Sequence, residues 1–337
     1  MRYFSLVLLV LPVFGLAHHS RLAFDLEGSI TVEGLVTEVA WTNPHYYLVV
    51  TQATETGEVD WTFEGHSIPG LVRNGWSKNS LQVGARVRVV ANPSREAEVP
   101  FGLLDYVTRT DGKTFYSFKR PQGDAPKISL PLQAASGMAG TWRLIRSLRA
   151  NLVSIVEPPR DWALLPLAQA EVDMFDLRDD PALRCEALGL PRMLTWPYTQ
   201  HWQSTDPGFN VEIEHSKEHR RIYSQRDSVP QERSPSGVSI GSTQADGSYL
   251  IITQNFLPQS WGNGRGISSS ADKRVTEHYS LEDGGYKLHL SYTLEDPLYL
   301  VDAVTRTAEF RKVHDFTFAE DPPCDVATAT RHLIFEK

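Results

Sequence analysis

The sequence lacks most of the patterns that identify an enzyme class or a redox protein. Cysteine occurs only twice, as Cys185 and Cys324, too far apart for a Cys-x-x-Cys metal or redox motif. There is no Gly-x-Ser-x-Gly elbow, phosphate-binding loop or dinucleotide fingerprint, and the spacing of serine, histidine and aspartate selects no triad. Positive charge is in deficit, with 33 basic against 41 acidic residues, which disfavours a nucleic-acid partner.

Long apolar runs are also absent, apart from one at the start of the chain. There Arg2 precedes a short apolar core that ends in Gly-Leu-Ala17, the layout of a secretory signal peptide. This core is shorter than the roughly 20 residues that span a bilayer. We therefore predict a signal peptide over residues 1–17 and a periplasmic or secreted protein. In that oxidising setting Cys185 and Cys324 are expected to form a disulfide, and two free buried thiols are the alternative.

The remaining chain has the pattern of two β-rich domains joined by a linker. Residues 29–118 contain five segments in which β-branched and aromatic residues alternate with polar ones, together with one short helix at 68–75. This pattern predicts a small OB-like Greek-key barrel over residues 18–118, with a plain sandwich as the alternative. Residues 119–139 are rich in proline and glycine and predict the linker.

Residues 140–337 predict a larger antiparallel β-barrel domain with short helices. Helix-like patterns appear at 144–152 and 166–176, and strand-like alternation dominates from about residue 195 onward. The clearest hairpin joins residues 275–281 to 286–293 through Glu-Asp-Gly-Gly. The predicted fold class is therefore mainly β throughout.

The mature amino terminus is the first candidate site. With cleavage after Ala17, His18 would offer its α-amine and its imidazole to one metal ion, a nitrogen pair that suits copper. His19, or His45 brought in by the fold, would complete the site, and cleavage one residue earlier would give a second copper-binding geometry. The alternatives are a flexible terminus with solvated histidines and a turn position for His45, whose ring would bond to backbone.

The aromatic residues of the second half are the second candidate site. They would line a cavity for a planar, apolar ligand, although any one of them is more often simply core. The predicted ligand-binding residues are Trp196, Tyr198, Trp202, Tyr249 and Tyr292.

Binding and catalysis are both open from these residues. An enzyme, for example a cyclase, isomerase or hydrolase acting on a hydrophobic metabolite, would also need titratable groups that converge on the cavity. A scaffold in a periplasmic or outer-membrane complex would instead show an exposed apolar patch. The titratable candidates, which the sequence does not rank, are His201, His215, His278, Asp173 and Glu277.

Two further patterns in the second half favour a structural interpretation. Residues 215–219 match the His-x-x-Glu-His order of inverted zinc peptidases, but those ligands need a helix, and here the flanks alternate as strands. A local positive stretch could hold an anionic ligand and is interpreted as a solvated strand face. It consists of Lys217, Arg220, Arg221 and Arg226.

Several ordered motifs in the first half carry a resemblance. They are Ala-His-His-Ser at 17–20, Phe-Asp at 24–25, the stretch 32–45 that ends in Trp-Thr-Asn-Pro-His, and the stretch 75–84. Together they resemble a family of small exported bacterial proteins of unknown function. The resemblance covers roughly residues 17–115 and implies an OB-type barrel. His66 and Ser67 do not belong to the family pattern.

Short motifs in the second half resemble a β-rich module of exported proteobacterial proteins, also of unknown function. They lie at 180–185, 189–192, 221–223, 239–241 and 295–297. The chain departs from that module at two turns, where it has Ser-Gln-Arg-Asp and Thr-Gln-Ala-Asp-Gly. Gly-Thr-Trp at 140–142 resembles the opening of lipocalins, which implies a ligand-holding antiparallel barrel. Neither resemblance implies a reaction.

Overall fold

The computed structural model describes residues 24–43, 45–96, 98–118, 134–145, 158–196, 199–214, 219–224, 229–313 and 324–331. In these ranges the protein is mainly β, with two closed barrels and a few short helices, so the predicted fold class is confirmed. None of the helices in these ranges has the length and hydropathy that crossing a bilayer requires.

The first barrel has five strands in the OB order. Its elements are β1 Ile30–Ala40, β2 Tyr47–Thr54, β3 Gly57–Glu64, α1 Ile68–Arg73, β4 Arg86–Pro93 and β5 Phe101–Arg109, and β6 Thr114–Tyr116 extends β5 as a hairpin. Antiparallel pairings give the order β3-β2-β1-β4-β5, and a parallel β3–β5 pairing closes the ring. A helix between β3 and β4 and this Greek-key order are typical of the OB fold.

The core of the first barrel follows from alternation along its strands. In β1, Val32 and Val36 are buried, whereas Glu33 and Leu35 between them are exposed. Gly34 lies where β1 approaches β2 so closely that a Cβ atom would stand 2.2 Å from the carbonyl oxygen of Thr51. A bulge in β1 bends the strand after this point and helps the sheet to close.

The second barrel has nine strands. They are β7 Gly140–Leu144, β8 Thr199–Thr205, β9 Gly208–Ile213, β10 His219–Tyr223, β11 Val238–Thr243, β12 Tyr249–Gln254, β15 Arg274–Glu282, β16 Lys287–Glu295 and β17 Val304–Val313. The intervening strands β13 Gln259–Gly264 and β14 Ile267–Ser269 form a separate two-stranded sheet.

One neighbouring pair in this ring, β10 and β11, runs parallel, and the other pairs are antiparallel. A closed ring with an odd number of strands cannot alternate in direction throughout, so a parallel pair is a geometric necessity. Among the described residues, only Ile222–Ser239 and Tyr223–Ile240 are in register there, whereas β15 and β16 are paired from Arg274–Glu295 onward along their full length. We call the β10–β11 pairing the seam.

The structure confirms some local predictions for the second half and corrects one. The helix α2, Pro166–Asp173, and the β15–β16 hairpin lie where the sequence predicts them. The helix expected from residue 144 is wrong at its start, because Leu144 is the last residue of β7. Trp142 in that strand points inward, is fully buried and donates its indole N–H to the carbonyl oxygen of Met138. Residues 146–157 lie outside the described ranges.

A disulfide ties the last described segment to the second barrel. Cys324 bonds to Cys185, with the two Cα atoms 6.1 Å apart, which confirms the predicted pairing. Directly after Cys324, the short helix α3 occupies Val326–Ala329. Cys324 also forms a parallel β-bridge with Asn43, in the loop between β1 and β2. One short segment therefore contacts both barrels.

Two ion pairs strengthen this contact between the barrels. Arg331, beyond α3, donates to Glu38 of β1 at 2.5 Å, and its guanidinium lies over the Tyr47 ring. Arg73, at the end of α1, donates to both carboxylate oxygens of Glu214 at 2.8 and 2.9 Å. Glu214 is only 4% exposed, whereas the Arg73 side chain is 34% exposed, so only the carboxylate of this pair is buried.

Candidate functional sites

The predicted metal ligand His45 lies at the mouth of the first barrel. Its Nδ1 atom is 3.3 Å from Oε1 of Glu64, at the end of β3. The other oxygen of that carboxylate accepts a hydrogen bond from the hydroxyl of Tyr47 at 3.4 Å. The other two predicted ligands, His18 and His19, lie outside the described residues. The structure therefore gives His45 a carboxylate neighbour that the sequence did not indicate.

Glu64 is the group of this site whose pKa depends on its surroundings. Burial raises its pKa above the ordinary value, and the nearby His45 and the Tyr47 hydroxyl lower it only in part. Tyr47 is fully buried between Glu64 and the guanidinium of Arg331. A bound cation would stabilise the charged form of this carboxylate, which is partly removed from solvent and lies beside an imidazole.

We predict that Glu64 makes the stability of the protein depend on pH. Because its folded-state pKa is raised above the unfolded value of 4.5, the native state binds this proton more tightly than the unfolded state. The resulting stabilisation is fully present below pH 4.5 and is lost as the pH rises through the folded-state pKa. Urea unfolding should show that the wild type loses stability relative to Glu64→Gln between pH 4.5 and neutrality. A pH-independent difference would contradict this.

A buried ion pair lies inside the second barrel. Arg220 of β10 is 3% exposed and Glu277 of β15 is fully buried. Nη1 of Arg220 donates to Oε2 of Glu277 at 2.8 Å, and Nη2 donates to Oε1 at 2.5 Å. This corrects the interpretation of Arg220 as part of a solvated strand face. Neighbouring residues of a strand point to opposite sides, so Arg220 faces inward while Arg221 faces outward.

The Arg220 guanidinium also joins the strands on both sides of the seam. Its Nε and Nη2 atoms donate to the Ser239 hydroxyl of β11 at 3.1 and 3.0 Å. Nη2 lies 3.1 Å from the Thr253 hydroxyl of β12 as well. These contacts supplement the few backbone pairs of the seam. The Tyr279 hydroxyl is a further hydrogen-bonding neighbour of the guanidinium.

The charges of this network follow from burial and pairing. Burial lowers the pKa of Arg220, but the Glu277 carboxylate and Tyr279 more than offset this and raise it above its ordinary value. The Tyr279 hydroxyl donates to Oε2 of Glu277 at 3.0 Å, and burial raises the pKa of Tyr279 well above its usual range. Arg220 is therefore always charged, and Tyr279 is a neutral donor at physiological pH.

Two of the predicted ligand-binding aromatics belong to a ring cluster beside this network. Trp202 packs edge-to-face on Tyr279, with ring centroids 5.0 Å apart, and on Phe209 at 5.8 Å. Phe209 in turn contacts the Tyr249 ring at 5.4 Å. Tyr249 also interacts electrostatically with Arg220. The structure thus brings Trp202 and Tyr249 together around one buried charge pair.

The other three predicted ligand-binding residues are less closely associated. Tyr292 lies directly opposite Glu277 in the β15–β16 register, and burial raises the pKa of its hydroxyl to about 12. Trp196 is half-buried at the end of the 3₁₀ turn Arg192–Thr195 and packs against the barrel core. Tyr198 lies outside the described residues.

The catalytic candidates do not converge on one site. Glu277 points into the barrel, whereas the next residue, His278, lies on the outer face of the same strand. His201 hydrogen-bonds to the Thr141 hydroxyl at 2.9 Å. Asp173 is exposed at the end of α2. The last candidate, His215, lies outside the described residues.

One serine–histidine contact appears that the sequence did not indicate. Ser248 Oγ lies 2.9 Å from Nε2 of His278, and the same hydroxyl donates to Asp246 at 2.6 Å. Hydrogen bonds from Ser248 lower the pKa of Asp246. Because the serine proton is directed to the aspartate, the histidine has no role as its base. The arrangement stabilises a turn and does not form a triad.

A comparison with known proteins finds a match for the part of the chain that contains most of the first barrel. Residues 7–101 match the model of a family described as a family of unknown function (DUF6152). No curated protein and no solved structure matches the chain. The matched residues include His18, His19 and His45, as well as Glu64 beside His45. The first barrel is therefore similar to a family whose function is unknown.

Proposed function

We propose that the protein is an exported binding protein whose second barrel holds a small, largely apolar molecule that carries a hydrogen-bond acceptor. The observation that carries this proposal is the buried charge of Arg220, which lies beside a cluster of aromatic rings inside the barrel. A hydrogen bond to a charged group contributes about 1.5–3 kcal/mol. A ligand acceptor that reaches this guanidinium, or the Tyr249 hydroxyl beside it, would therefore be bound strongly.

The surroundings of Arg220 support a site for a molecule with a flat apolar body. Trp202, Phe209 and Tyr249 supply aromatic faces and edges. Tyr249 lies against Gly241, where a Cβ atom would stand 2.5 Å from its hydroxyl oxygen, so the glycine makes room for this ring. Burial raises the pKa of Tyr249, which keeps the hydroxyl neutral and able to donate beside Arg220.

A contribution to stability alone does not explain the ion pair well. Replacing a buried ion pair with apolar residues of similar volume is often neutral or stabilising, so a barrel core gains little from Arg220 and Glu277 alone. An enzyme acting on the same ligand is the alternative function. Both oxygens of Glu277 already accept hydrogen bonds, which favours binding over proton transfer.

The proposed compartment is the periplasm or the extracellular medium. The apolar leader has the layout of a secretory signal, and the disulfide between Cys185 and Cys324 is typical of an oxidising environment.

A fluorescence titration with anilinonaphthalene sulfonate, an aromatic probe with acceptor oxygens, tests the proposal on the full mature chain. We expect saturable binding, and we expect Tyr249→Phe to weaken it about three- to tenfold through loss of one hydrogen bond. The matched control is Tyr286→Phe, in the exposed β15–β16 turn, which should bind like the wild type. Equal affinity in Tyr249→Phe and Tyr286→Phe would contradict the proposal, as would the absence of saturable binding.

A second candidate function, copper binding at the mouth of the first barrel, rests on a different observation. Phe24 packs in one apolar cluster with Tyr47, whose hydroxyl donates to the Glu64 carboxylate beside His45. His18 precedes Phe24 by six residues, which span at most about 20 Å. We propose that the α-amine and imidazole of His18 reach His45 and bind copper with it.

A Cu(II) titration of the mature protein, followed by d–d absorption, tests this second candidate. We expect His45→Gln to lose the high-affinity band, and a Met-extended protein without the free His18 amine to lose it too. The control is His219→Gln, a histidine on the exposed outer face of the second barrel. Unchanged binding in His45→Gln would exclude His45 as a ligand.

A further inference from the structure

Three side chains converge on the outer face of the second barrel, away from the proposed ligand and copper sites. Glu282, His289 and Glu309 belong to the neighbouring strands β15, β16 and β17, and one ligand atom from each lies within 4.8 Å of the others. We propose that these three residues bind a divalent transition-metal ion of the zinc type. This site shares no residue with the other two.

The strand register places the three residues on one surface. His289 lies between the buried Leu288 and Leu290 of β16, so its side chain points outward. Glu309 of β17 is directly opposite His289. Glu282 ends β15, on the other side of β16. Adjacent strands are roughly 4.8 Å apart, so one ion above β16 is within reach of all three side chains.

The orientation of the carboxylates supports the proposal. Lys287 lies opposite Glu282, and Arg311 follows Glu309 by two residues on the same outer face. In the described part of the chain, neither carboxylate forms an ion pair with these cations, and a ligand atom of each lies within 4.8 Å of one on His289. A divalent ion bound there would attract both carboxylates.

The donor set selects the class of metal. Calcium and magnesium prefer oxygen ligands alone, whereas an imidazole favours zinc and its neighbours in the transition series. Zinc binds histidine nitrogen and carboxylate oxygen at about 2.0–2.2 Å, so its ligand atoms lie roughly 3.3 Å apart. Small rotations of the exposed glutamates would bring them to that separation. Water would complete the coordination.

Isothermal titration of the metal-free full chain with Zn²⁺ tests the proposal. We expect His289→Gln to lose one binding equivalent, or to weaken it at least tenfold, and Glu309→Gln to act in the same way. Zn²⁺ should also raise the midpoint of thermal unfolding more in the wild type than in either variant, because it binds the native state. Both substitutions lie on the outer face of the barrel and leave its core intact.

The control is His278→Gln. His278 also points outward, from β15, and is not part of the cluster. It should retain the Zn²⁺ equivalent that His289→Gln loses. The proposal is overturned if His289→Gln and Glu309→Gln bind Zn²⁺ with the stoichiometry and affinity of the wild type. Failure of the Cu(II) or fluorescence experiments would leave this result unaffected, since those experiments involve other residues.

Discussion

Replacing Glu277 by leucine is expected to lower the free energy of unfolding by about 3–5 kcal/mol. The substitution leaves the Arg220 guanidinium inside the barrel without its counter-charge. It also removes the acceptor of two guanidinium N–H groups and of the Tyr279 hydroxyl. Urea unfolding at neutral pH, followed by far-UV circular dichroism, measures the loss.

The double variant Arg220→Met/Glu277→Leu separates the pair's contribution to stability from its role in binding. It removes both charges, so we expect it to recover most of the stability that Glu277→Leu loses. It should nevertheless bind anilinonaphthalene sulfonate more weakly than the wild type, because the Arg220 donor is gone. The neighbouring Arg221→Met, on the outer face, removes hydrogen bonds to Asn210 and to the Pro207 carbonyl, and we expect it to lower the unfolding free energy by only about 1–2 kcal/mol. A Glu277→Leu protein as stable as Arg221→Met would contradict this expectation.

Removing the disulfide is the second change with a large expected effect. The bond closes a loop of 139 residues, and the chain-entropy model assigns such a loop about 5 kcal/mol. Cys185→Ala/Cys324→Ala should therefore unfold at a much lower urea concentration than the oxidised wild type. The variant also frees the segment that carries Arg331 from its covalent attachment, which weakens the contact with Glu38 and Tyr47.

The reduced wild type is the matched control for this experiment. It should unfold close to the alanine variant, since both lack the cross-link while retaining nearly the same side-chain volume. Limited proteolysis should cleave both proteins near residues 324–331 sooner than the oxidised protein. An unfolding midpoint that does not change on reduction would show that the cross-link contributes little to stability.

The features that local sequence predicts are those set by short-range physics. The Gly-Gly turn fixes the β15–β16 hairpin, and alternation along β1 marks its buried face. The two cysteines pair as expected in an exported chain. Each of these predictions depends on a few consecutive residues or on composition.

The features that the sequence does not predict depend on register between distant strands. Arg220 and Arg221 are equivalent in the local pattern, and only the pairing of β9 with β10 decides which one faces inward. Its partner Glu277 lies 57 residues away. The residues that follow Trp142 have helix-like spacing from residue 144. The segment of Trp142 is nevertheless a strand, because it pairs with β17 and β8 and so closes the nine-stranded ring. Glu282, His289 and Glu309 likewise meet only through three strands in register.

The seam also has a consequence for access to the interior. Among the described residues, backbone pairing there is confined to Ile222–Ser239 and Tyr223–Ile240, so we expect local opening of the barrel wall to cost least free energy at the seam. The Arg220 guanidinium, which joins the two strands of the seam, is also the charged group of the proposed ligand site. A ligand that entered the barrel through the seam would contact Arg220 on entry. Its binding to Arg220 would then stabilise the closed seam.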